Sequence, residues 1–510
     1  MVSKINGIGL FGIEGFIVDI ETDVANGLPA FDMVGLPDVA VKESRERVRS
    51  AIKNCGFQLP PRRITINLAP ADIKKEGSVF DLAVFLGILK ATEQISVSFE
   101  GSVFAGELSL SGEIRATNGI LPTVIMAKEF GFKRIFVPLA NAKEASVVEG
   151  IDIFPAQNAM EIVEHLRGNS FISPIISNTD NILEQSINDI FDFADVGGQE
   201  FAKRALEVAA AGSHNILLIG PPGAGKSMLA KRIPSILPNM SFNEAIETTK
   251  IHSIAGTLPN DTALVTIRPF RSPHHTISQI GLSGGGRIPK PGEISLAHNG
   301  VLFLDELPEF PKSILEVLRQ PIEDNTVTIS RATGTLTFPC SIMLVCAMNP
   351  CRCGFYGHPN KPCSCSPNSI TQYLSRVSGP LLDRIDIHIE VPPVSYEELD
   401  GKRKGEPSKF IRDRVNIARA IQLTRYKQSG ISCNARLSSA LVKEYCKLDK
   451  QTNEFLKNAF NKLGLSARAY DRVLKVARTI ADLENKKDIT KNHIAEAVQF
   501  RSLDRKYWNR

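Results

Sequence analysis

The sequence predicts a multidomain α/β protein, with an N-terminal α/β domain, a central domain built on a parallel sheet and a helical C-terminal domain. Three observations lead to this fold class. The octapeptide GPPGAGKS at 220–227 follows a strand-like run at 216–219 and leads into a helix-like stretch that begins at Met228. Strand-like and helix-like segments alternate around it, as is typical of parallel sheets. Beyond residue 393 the apolar residues recur mostly at helical spacing.

Composition bounds the class of protein before any motif is considered. With 510 residues, 43% hydrophobic and 23% charged, the chain has room for about two to four globular domains. No segment is long and apolar enough to span a bilayer, and Glu14 and Asp19 interrupt the N-terminus, unlike a signal peptide. We therefore expect a cytoplasmic protein without a membrane partner. The net charge of +5 permits a nucleic-acid partner without requiring one.

The chain is predicted to divide into an α/β domain at 1–167, a linker rich in Ser and Asn at 168–190, a central domain at 191–393 and a helical domain at 394–510. The strand-like segments are 18–24, 62–70, 133–141, 215–220, 301–305 and 341–347. The helix-like segments include 41–54, 78–91 and 465–484. In the last of these, apolar residues occupy one face, and another face carries Arg468, Arg472, Lys475 and Arg478.

The octapeptide has the features of a P-loop, a turn that cradles the phosphates of a nucleotide. Its glycines allow backbone N–H groups to close around a phosphate chain at the positive end of the following helix. Lys226 can reach the β- and γ-phosphates, and the Ser227 hydroxyl can hold Mg²⁺. The sequence therefore predicts ATP and Mg²⁺ as cofactors. The predicted nucleotide-binding residues are Gly220, Pro221, Pro222, Gly223, Ala224, Gly225, Lys226, Ser227 and Asp305.

Two further strand ends supply polar groups for the same chemistry. The run VLFLDE at 301–306 ends in adjacent carboxylates, of which Asp305 would hold Mg²⁺ and Glu306 would orient and deprotonate the attacking water. The strand-like SIMLVCAMN ends at Asn349, whose amide could sense the γ-phosphate. The alternative for Asn349 is a turn residue before Pro350.

Two arginines are candidates for contacts with the γ-phosphate. Arg384 follows a tight turn in SGPLLDRIDI, where it could act as an arginine finger toward a neighbouring subunit. Alternatively, it could pair with Asp383 or Asp386 of its own chain. Arg468 begins an amphipathic helix and could reach the phosphates from a lid, or could remain a solvated charge on that helix.

A cysteine cluster stands at 351–365, where four of the nine cysteines form a C-x-C-x9-C-x-C array of Cys351, Cys353, Cys363 and Cys365. Four thiolates suit tetrahedral Zn²⁺, and a site with four protein ligands is structural because no position stays open. The C-x-C spacing is tighter than is usual, and His358 could replace one ligand. Free reduced thiols or a redox pair are the alternatives.

Residues 268–293 lie in a predicted insertion between the P-loop and Asp305, rich in Gly and Pro. Its cations include the candidate DNA contacts Arg268, Arg271 and Lys290. Such a loop could project into the pore of a ring and grip phosphates. A solvated loop, or one that contacts a neighbouring subunit, is the alternative. Its few aromatic residues argue against base stacking.

The ordered set of P-loop, Asp-Glu strand end, Asn strand end and two arginines resembles the AAA+ ATPases. DVGGQ at 195–199 is similar to the segment that opens such modules, and 291–310 and 378–392 resemble the magnesium-chelatase-like branch. Nearly the whole chain resembles the ComM/YifB group of bacterial proteins. The resemblance implies a hexameric ring that uses ATP to move on single-stranded or branched DNA, as a branch-migration helicase in recombination and natural transformation.

The N-terminal domain resembles the Lon protease domain in outline. Segments 68–83 and 106–127 are similar to those that carry the Lon nucleophilic serine and catalytic lysine, but these positions hold Val79 and Leu121, with Ser78 one place off. Val and Leu offer neither the hydroxyl nor the amine of a Ser/Lys dyad. The resemblance therefore implies a Lon-like fold without peptidase chemistry.

Other functions stay open at this point. A chelatase-type motor, which would drive metal insertion or remodel a protein partner, shares the ATPase motifs and would not need DNA. Val79 and Leu121 disfavour an ATP-dependent protease. The intact Asp305–Glu306 pair disfavours a nucleotide-binding scaffold without turnover.

Overall fold

The computed structural model describes residues 2–175, 191–259, 261–286, 289–331, 334–393, 405–463 and 466–508. The chain forms two compact units. The first comprises residues 1–185 and 242–266, and the second comprises residues 186–241 and 267–510. Both units are mixed α/β and the chain ends in helices, which confirms the predicted fold class. Of the predicted linker, residues 176–190 lie outside the described part of the chain.

The first unit is built on a mixed sheet. Its strands are β1 (Val2–Phe11), β2 (Glu14–Ala25), β3 (Ala30–Val34), β4 (Arg63–Ala69), β5 (Ser102–Phe104), β6 (Glu107–Leu108), β7 (Ile114–Arg115), β8 (Arg134–Pro138) and β9 (Asp152–Ala156). Seven of them form one sheet in the order β3-β4-β2-β1-β5-β8-β9, and β6 pairs with β7. β1 and β2 form an antiparallel hairpin. The predicted alternation in β2 is confirmed, because Val18 and Ile20 are buried while Asp19 between them is partly exposed.

Helices complete the first unit: Val39–Asn54, Asp81–Ala91, Ile120–Glu129, Ala142–Ala145, Ala159–Arg167 and Phe242–Ala255. The last helix lies in the range that the sequence assigns to the central domain, yet it belongs to this unit. Its Ser253 hydroxyl donates to the buried Glu144 and accepts from the backbone N–H of Gly119 at 3.0 Å. Periodicity cannot reveal this packing, because these partners are 109 and 134 residues apart.

The second unit contains a fully parallel sheet. Its strands are β10 (Ile216–Ile219), β11 (Phe270–Arg271), β12 (Gly284–Gly285), β13 (Lys290–Pro291), β14 (Val301–Leu304), β15 (Thr326–Arg331), β16 (Gly334–Pro339), β17 (Met343–Met348) and β18 (Ile387–Glu390). Five form the sheet β11-β14-β17-β10-β18, and β12–β13 and β15–β16 are separate pairs. The central strands are apolar and fully buried, as expected for a covered parallel sheet. Parallel pairing gathers the carboxyl ends of β10, β14 and β17 at one edge.

Helices surround this sheet and form the C-terminal part of the chain: Glu200–Gly212, Lys226–Arg232, Gln279–Ser283, Glu293–Leu296, Lys312–Val317, Arg319–Asp324, Pro367–Leu374, Gly379–Leu382, Ser408–Arg425, Ser439–Tyr445, Lys450–Leu463, Ala467–Leu483, Lys491–Gln499 and Leu503–Trp508. The helix Ala467–Leu483 begins at the N-cap Ser466, whose hydroxyl accepts from the backbone N–H of Ala469 at 3.2 Å. Val473, Val476 and Ile480 are buried, which confirms the predicted apolar face.

Candidate nucleotide-binding site

The P-loop connects the buried strand β10 to the helix Lys226–Arg232, as the sequence predicts. Two of its glycines are required by the geometry. A Cβ at Gly220 would lie 2.3 Å from the carbonyl oxygen of Val391, beside the end of β18. Gly225 has a φ of +85°, a left-handed conformation that residues with a side chain rarely adopt, directly before the helix begins. Position 220 therefore has no space for a side chain, and the backbone conformation at position 225 disfavours one.

The Lys226 ammonium group occupies the centre of the loop. It donates to the carbonyl oxygens of Gly220 and Pro221 at 2.7 and 2.9 Å, and to Oδ1 of Asn349 at 3.0 Å. Burial lowers the pKa of Lys226, and the charges of Asp305 and Glu306 oppose that shift. The structure thus brings Lys226 and Asn349 together, and a phosphate oxygen could replace the acceptors that Lys226 now uses.

Ser227 and Asp305 form the second contact of the site. The Ser227 hydroxyl donates to Oδ2 of Asp305 at 2.6 Å, across the ends of β10 and β14. A hydroxyl oxygen and carboxylate oxygens are hard ligands of the kind that Mg²⁺ takes alongside water and phosphate oxygens. These two residues fit a magnesium ion held between the P-loop and the strand end.

Glu306 projects from the same edge with a more exposed side chain. It has a φ of +51°, a left-handed conformation of the kind that persists at functional sites, and its backbone N–H donates to Oδ1 of Asp305 at 2.9 Å. Nδ1 of His275 lies 3.6 Å from its Oε2. No motif or spacing in the sequence indicates that this histidine is a neighbour of Glu306, because the two residues lie far apart in the chain on different loops.

Arg384 lies at the opposite edge of the sheet. Its carbonyl oxygen accepts from Nδ2 of Asn215, the residue directly before β10, at 3.0 Å. Asn215 and Gly220 are five residues apart on an extended strand, so roughly 16 Å separates the two edges. The Arg384 guanidinium is buried, donates to the carbonyl oxygen of Pro380 at 2.8 Å and pairs with Glu323 at 2.6 Å. Its acidic partner at this distance is Glu323, which the sequence did not indicate.

Arg468 lies near Arg384 at this second edge. Its guanidinium is 4.0 Å from Oδ2 of Asp383, and both arginines line a cavity of about 410 Å³. The other charged residues among those that line it are Arg436, Arg472, Lys475, Glu323, Asp386 and Asp471. Arg468 therefore faces the cavity of Arg384 and lies away from the P-loop of its own chain.

The other basic residues of the helix Ala467–Leu483 are not a solvated stripe. Arg472 contacts Asp386 at 3.6 Å, and Lys475 donates to the carbonyl oxygen of Ala435 at 3.1 Å. Arg478 is buried and pairs with Asp482 at 3.0 Å. Although burial alone would raise it, the pKa of Asp386 is held below its usual range by a hydrogen bond with His214 and by the charge of Arg472. This helix face is therefore an internal ion-pair network.

The cysteine cluster is assembled in the structure. The Sγ atoms of Cys351, Cys353 and Cys363 are 3.4, 3.5 and 3.7 Å apart, and all four Sγ atoms lie within 4.8 Å of one another. A tetrahedral zinc ion with Zn–S bonds of about 2.3 Å needs sulfur atoms about 3.8 Å apart. The four sulfurs therefore fit one zinc ion. His358 accepts at Nδ1 from the backbone N–H groups of Asn360 and Lys361, so this nitrogen is already used.

Two of the three candidate DNA contacts, Arg268 and Arg271, form hydrogen bonds to other residues of the second unit. Arg268 donates to the carbonyl oxygens of Pro238 and Asn299 at 2.6 and 2.8 Å. Arg271 forms a bidentate pair with Glu293 at 2.6 and 2.7 Å, and this hydrogen bonding raises the pKa of Arg271. Of the three, Lys290 has the exposed side chain.

The positions that correspond to a Lon dyad hold packed side chains. Leu121 is buried and its backbone N–H donates to Glu144 at 2.8 Å, while Val79 is partly buried. The adjacent Ser78 hydroxyl donates to a carboxylate oxygen of Glu107. These contacts hold neighbouring segments of the first unit together.

A parallel sheet with a P-loop after one strand, carboxylates after the next and an amide after a third, followed by a helical domain, defines an AAA+ type of nucleotide-binding protein. Comparisons with known proteins identify the family within this class. Family models described as "Magnesium chelatase, subunit ChlI", "Subunit ChlI of Mg-chelatase" and "Magnesium chelatase, subunit ChlI C-terminal" match residues 192–399, 20–141 and 405–501.

Full-length relatives place the chain within one group. It is 44% identical to Competence protein ComM of Haemophilus influenzae, over 97% of this chain and 96% of the relative. It is 43% identical to uncharacterized protein YifB of Salmonella typhimurium, over the same shares. The chain belongs to the ComM/YifB family of magnesium-chelatase-like proteins. A partial similarity, 24% identity over 186 residues, links it to Lon protease 2 of Bacillus subtilis.

Family membership suggests ATPase activity with ATP and Mg²⁺, and assembly into an oligomeric ring. In the described ranges, no helix has the length and apolar composition needed to cross a membrane.

Proposed function

We propose that the chain is a ring-forming ATPase, a hexamer, that uses ATP hydrolysis to move on single-stranded or branched DNA. Its role would be branch migration during recombination and natural transformation, in the cytoplasm. The observation that carries this proposal is the separation of the two arginines from the P-loop. Arg384 and Arg468 lie at one edge of the sheet and the phosphate site at the other, which supports a role for both arginines at the nucleotide of a neighbouring subunit.

Within one subunit, the residues at the carboxyl edge would bind and hydrolyse ATP. Lys226 would exchange its carbonyl acceptors for β- and γ-phosphate oxygens, and Ser227 and Asp305 would hold Mg²⁺. Glu306 would orient the attacking water and take its proton. Asn349, which already contacts Lys226, would register whether a γ-phosphate is present.

Between subunits, the cavity at the amino edge would receive the triphosphate bound to the neighbour. The buried guanidinium of Arg384 would leave Glu323 and stabilise the charge that develops on the γ-phosphate. Arg468 would supply a second positive charge from the helical domain. A ring, in which each subunit completes the next site, satisfies this arrangement for all copies at once.

DNA is the proposed substrate because the full-length relative with 44% identity is named a competence protein. The insertion at 268–293 remains the candidate contact surface, with Lys290 as its exposed cation. Arg268 and Arg271 would support the insertion from inside and not touch phosphates. The cysteine cluster would hold one structural Zn²⁺ per chain. We retain 1–167, 168–190, 191–393 and 394–510 as proposed sequence domains, with 242–266 packed against the first.

A chelatase-type motor is the second candidate, because the matching family models are named for magnesium chelatase. One experiment separates the two. The ATPase rate of zinc-replete protein is measured with and without a four-way DNA junction, and with a linear duplex as control. Stimulation by the junction is expected of a DNA motor. An unchanged rate, with ATP turnover intact, would favour the chelatase-type motor.

A further inference from the structure

The cysteine cluster begins directly after the strand that carries Asn349. Strand β17 ends at Met348, whose carbonyl oxygen accepts from the backbone N–H of Gly220 at 3.2 Å. Asn349 contacts Lys226, and only Pro350 separates Asn349 from Cys351. The first thiol of the cluster is thus two residues from a side chain of the candidate nucleotide site.

The turn inside the cluster also touches the P-loop itself. The backbone N–H of Gly354 donates to the carbonyl oxygen of Cys351 at 3.0 Å, which closes the turn. A Cβ at Gly354 would lie 2.4 Å from Cδ and 2.7 Å from Cγ of Pro222. The backbone of the cysteine turn therefore packs against the Pro222 ring with no space between them.

Two separated stretches of chain close the cluster. Cys363 and Cys365 are brought to Cys351 and Cys353 across the nine residues between Cys353 and Cys363. Without a metal, the thiol contacts among them are weak hydrogen bonds. A bound metal ion would replace them with four metal–sulfur bonds and would fix the turn at Gly354.

We propose that this metal-bound turn is a positioning element of the nucleotide site: it buttresses Pro222 of the P-loop and fixes Asn349 beside Lys226, so that loading of the four-cysteine site sets the affinity for nucleotide. The inference rests on the proposed ATP site but not on DNA as the substrate. The cysteines act here through the P-loop and are not catalytic.

The sharpest test compares Gly354→Ala with Gly357→Ala. Both glycines lie in the same turn region and have similar left-handed φ angles, +84° and +78°, so alanine causes similar backbone strain. Only at 354 does the new methyl group meet the P-loop, since the nearest atom at 357 is Nζ of Lys506 at 3.8 Å. Binding of a fluorescent ATP analogue with Mg²⁺ and zinc content per chain are measured for both full-length variants.

We expect Gly354→Ala to weaken nucleotide binding by about tenfold and Gly357→Ala to leave it unchanged, with one zinc per chain in both. Adding Pro222→Ala to Gly354→Ala removes the ring atoms that clash and should restore part of the affinity. Equal affinity of the two glycine variants would overturn the proposed contact.

A second arm removes the metal from the far side of the cluster. Cys363→Ser with Cys365→Ser changes no residue next to Asn349, and thermal unfolding reports whether the fold survives. Loss of zinc together with weaker analogue binding supports the inference. Wild-type affinity in a folded, zinc-free variant would overturn it. Nucleotide binding by the wild-type protein separates the two proposals. If the wild-type protein binds no nucleotide, the proposed ATPase is wrong. If it binds nucleotide and the folded, zinc-free variant binds equally well, only the positioning role of the cluster is wrong.

Discussion

The two edges of the parallel sheet in the second unit hold their charged groups in different ways. At the carboxyl edge, Lys226 and Ser227 are bonded to a few groups that a nucleotide and its metal could replace. At the amino edge, Arg384 is tied to Glu323, and its carbonyl oxygen is tied to Asn215. One edge is prepared to receive a ligand, while the other holds its arginine in a packed network. The difference fits an ATPase in which binding is local to the subunit and hydrolysis needs the neighbour.

The largest effect is expected at the carboxyl edge, from Glu306→Gln. An amide cannot take the proton of the attacking water, so the rate should fall about a thousandfold while ATP affinity is retained. Single-turnover hydrolysis and equilibrium binding check the two halves of this statement. Glu309→Gln is the matched control, since Glu309 pairs with Arg376 at 2.9 Å and is assigned no role in hydrolysis. Near-normal turnover of Glu306→Gln would show that Glu306 is not the base that takes the proton of the attacking water.

At the amino edge, Arg384→Ala should lower the rate about a hundredfold, because the finger is lost while Arg468 remains in the cavity. ATP binding should persist. Mixing this variant with Lys226→Ala protein should restore part of the activity, since Arg384 of a Lys226→Ala subunit can meet an intact P-loop. If verified mixed rings gain nothing, Arg384 does not act across subunits, and the contrast between the edges disappears.

The carboxyl edge could be predicted from sequence because its residues follow three strands of one parallel sheet. Strand ends of such a sheet meet wherever the intervening loops go, so GPPGAGKS, Asp305 and Asn349 could be assigned to one site. The structure then adds the contacts Lys226–Asn349 and Ser227–Asp305. The strands and helices themselves follow from periodicity, as in β2 and in Ala467–Leu483.

The amino edge and the insertions could not be predicted in this way. Glu323 pairs with Arg384, and Glu293 with Arg271, between segments of the chain whose relative placement has no periodic signature. For the same reason, the sequence did not reveal that the helix Phe242–Ala255 belongs to the first unit. An isolated arginine in a sequence looks like a solvated cation until its acidic partner is known.

Asn215 offers a way to test whether the two edges communicate. Its Oδ1 accepts from the backbone N–H of Leu344 in β17 at 2.8 Å, while its Nδ2 donates to Arg384. Asn215→Asp keeps the acceptor and loses the donor, so the Arg384 turn loses one anchor. We expect kcat to fall about tenfold with KM for ATP nearly unchanged. An equal change in ATP affinity would mean that the edges are not separate.

The smallest effect concerns the insertion, where Lys290 is exposed and the two arginines are engaged. If Lys290 meets DNA phosphates, Lys290→Ala should weaken binding about equally for all sequences. The slope of log K against log salt should become shallower by about 0.9, the value for one duplex phosphate contact. Lys312→Ala, an exposed lysine on the helix Lys312–Val317, serves as the control for net charge. An identical slope in the two variants would place the DNA contact outside the insertion.

The Arg268→Ala variant should lower thermal stability and leave the salt slope unchanged. The reason is that the Arg268 guanidinium donates hydrogen bonds to the carbonyl oxygens of Pro238 and Asn299.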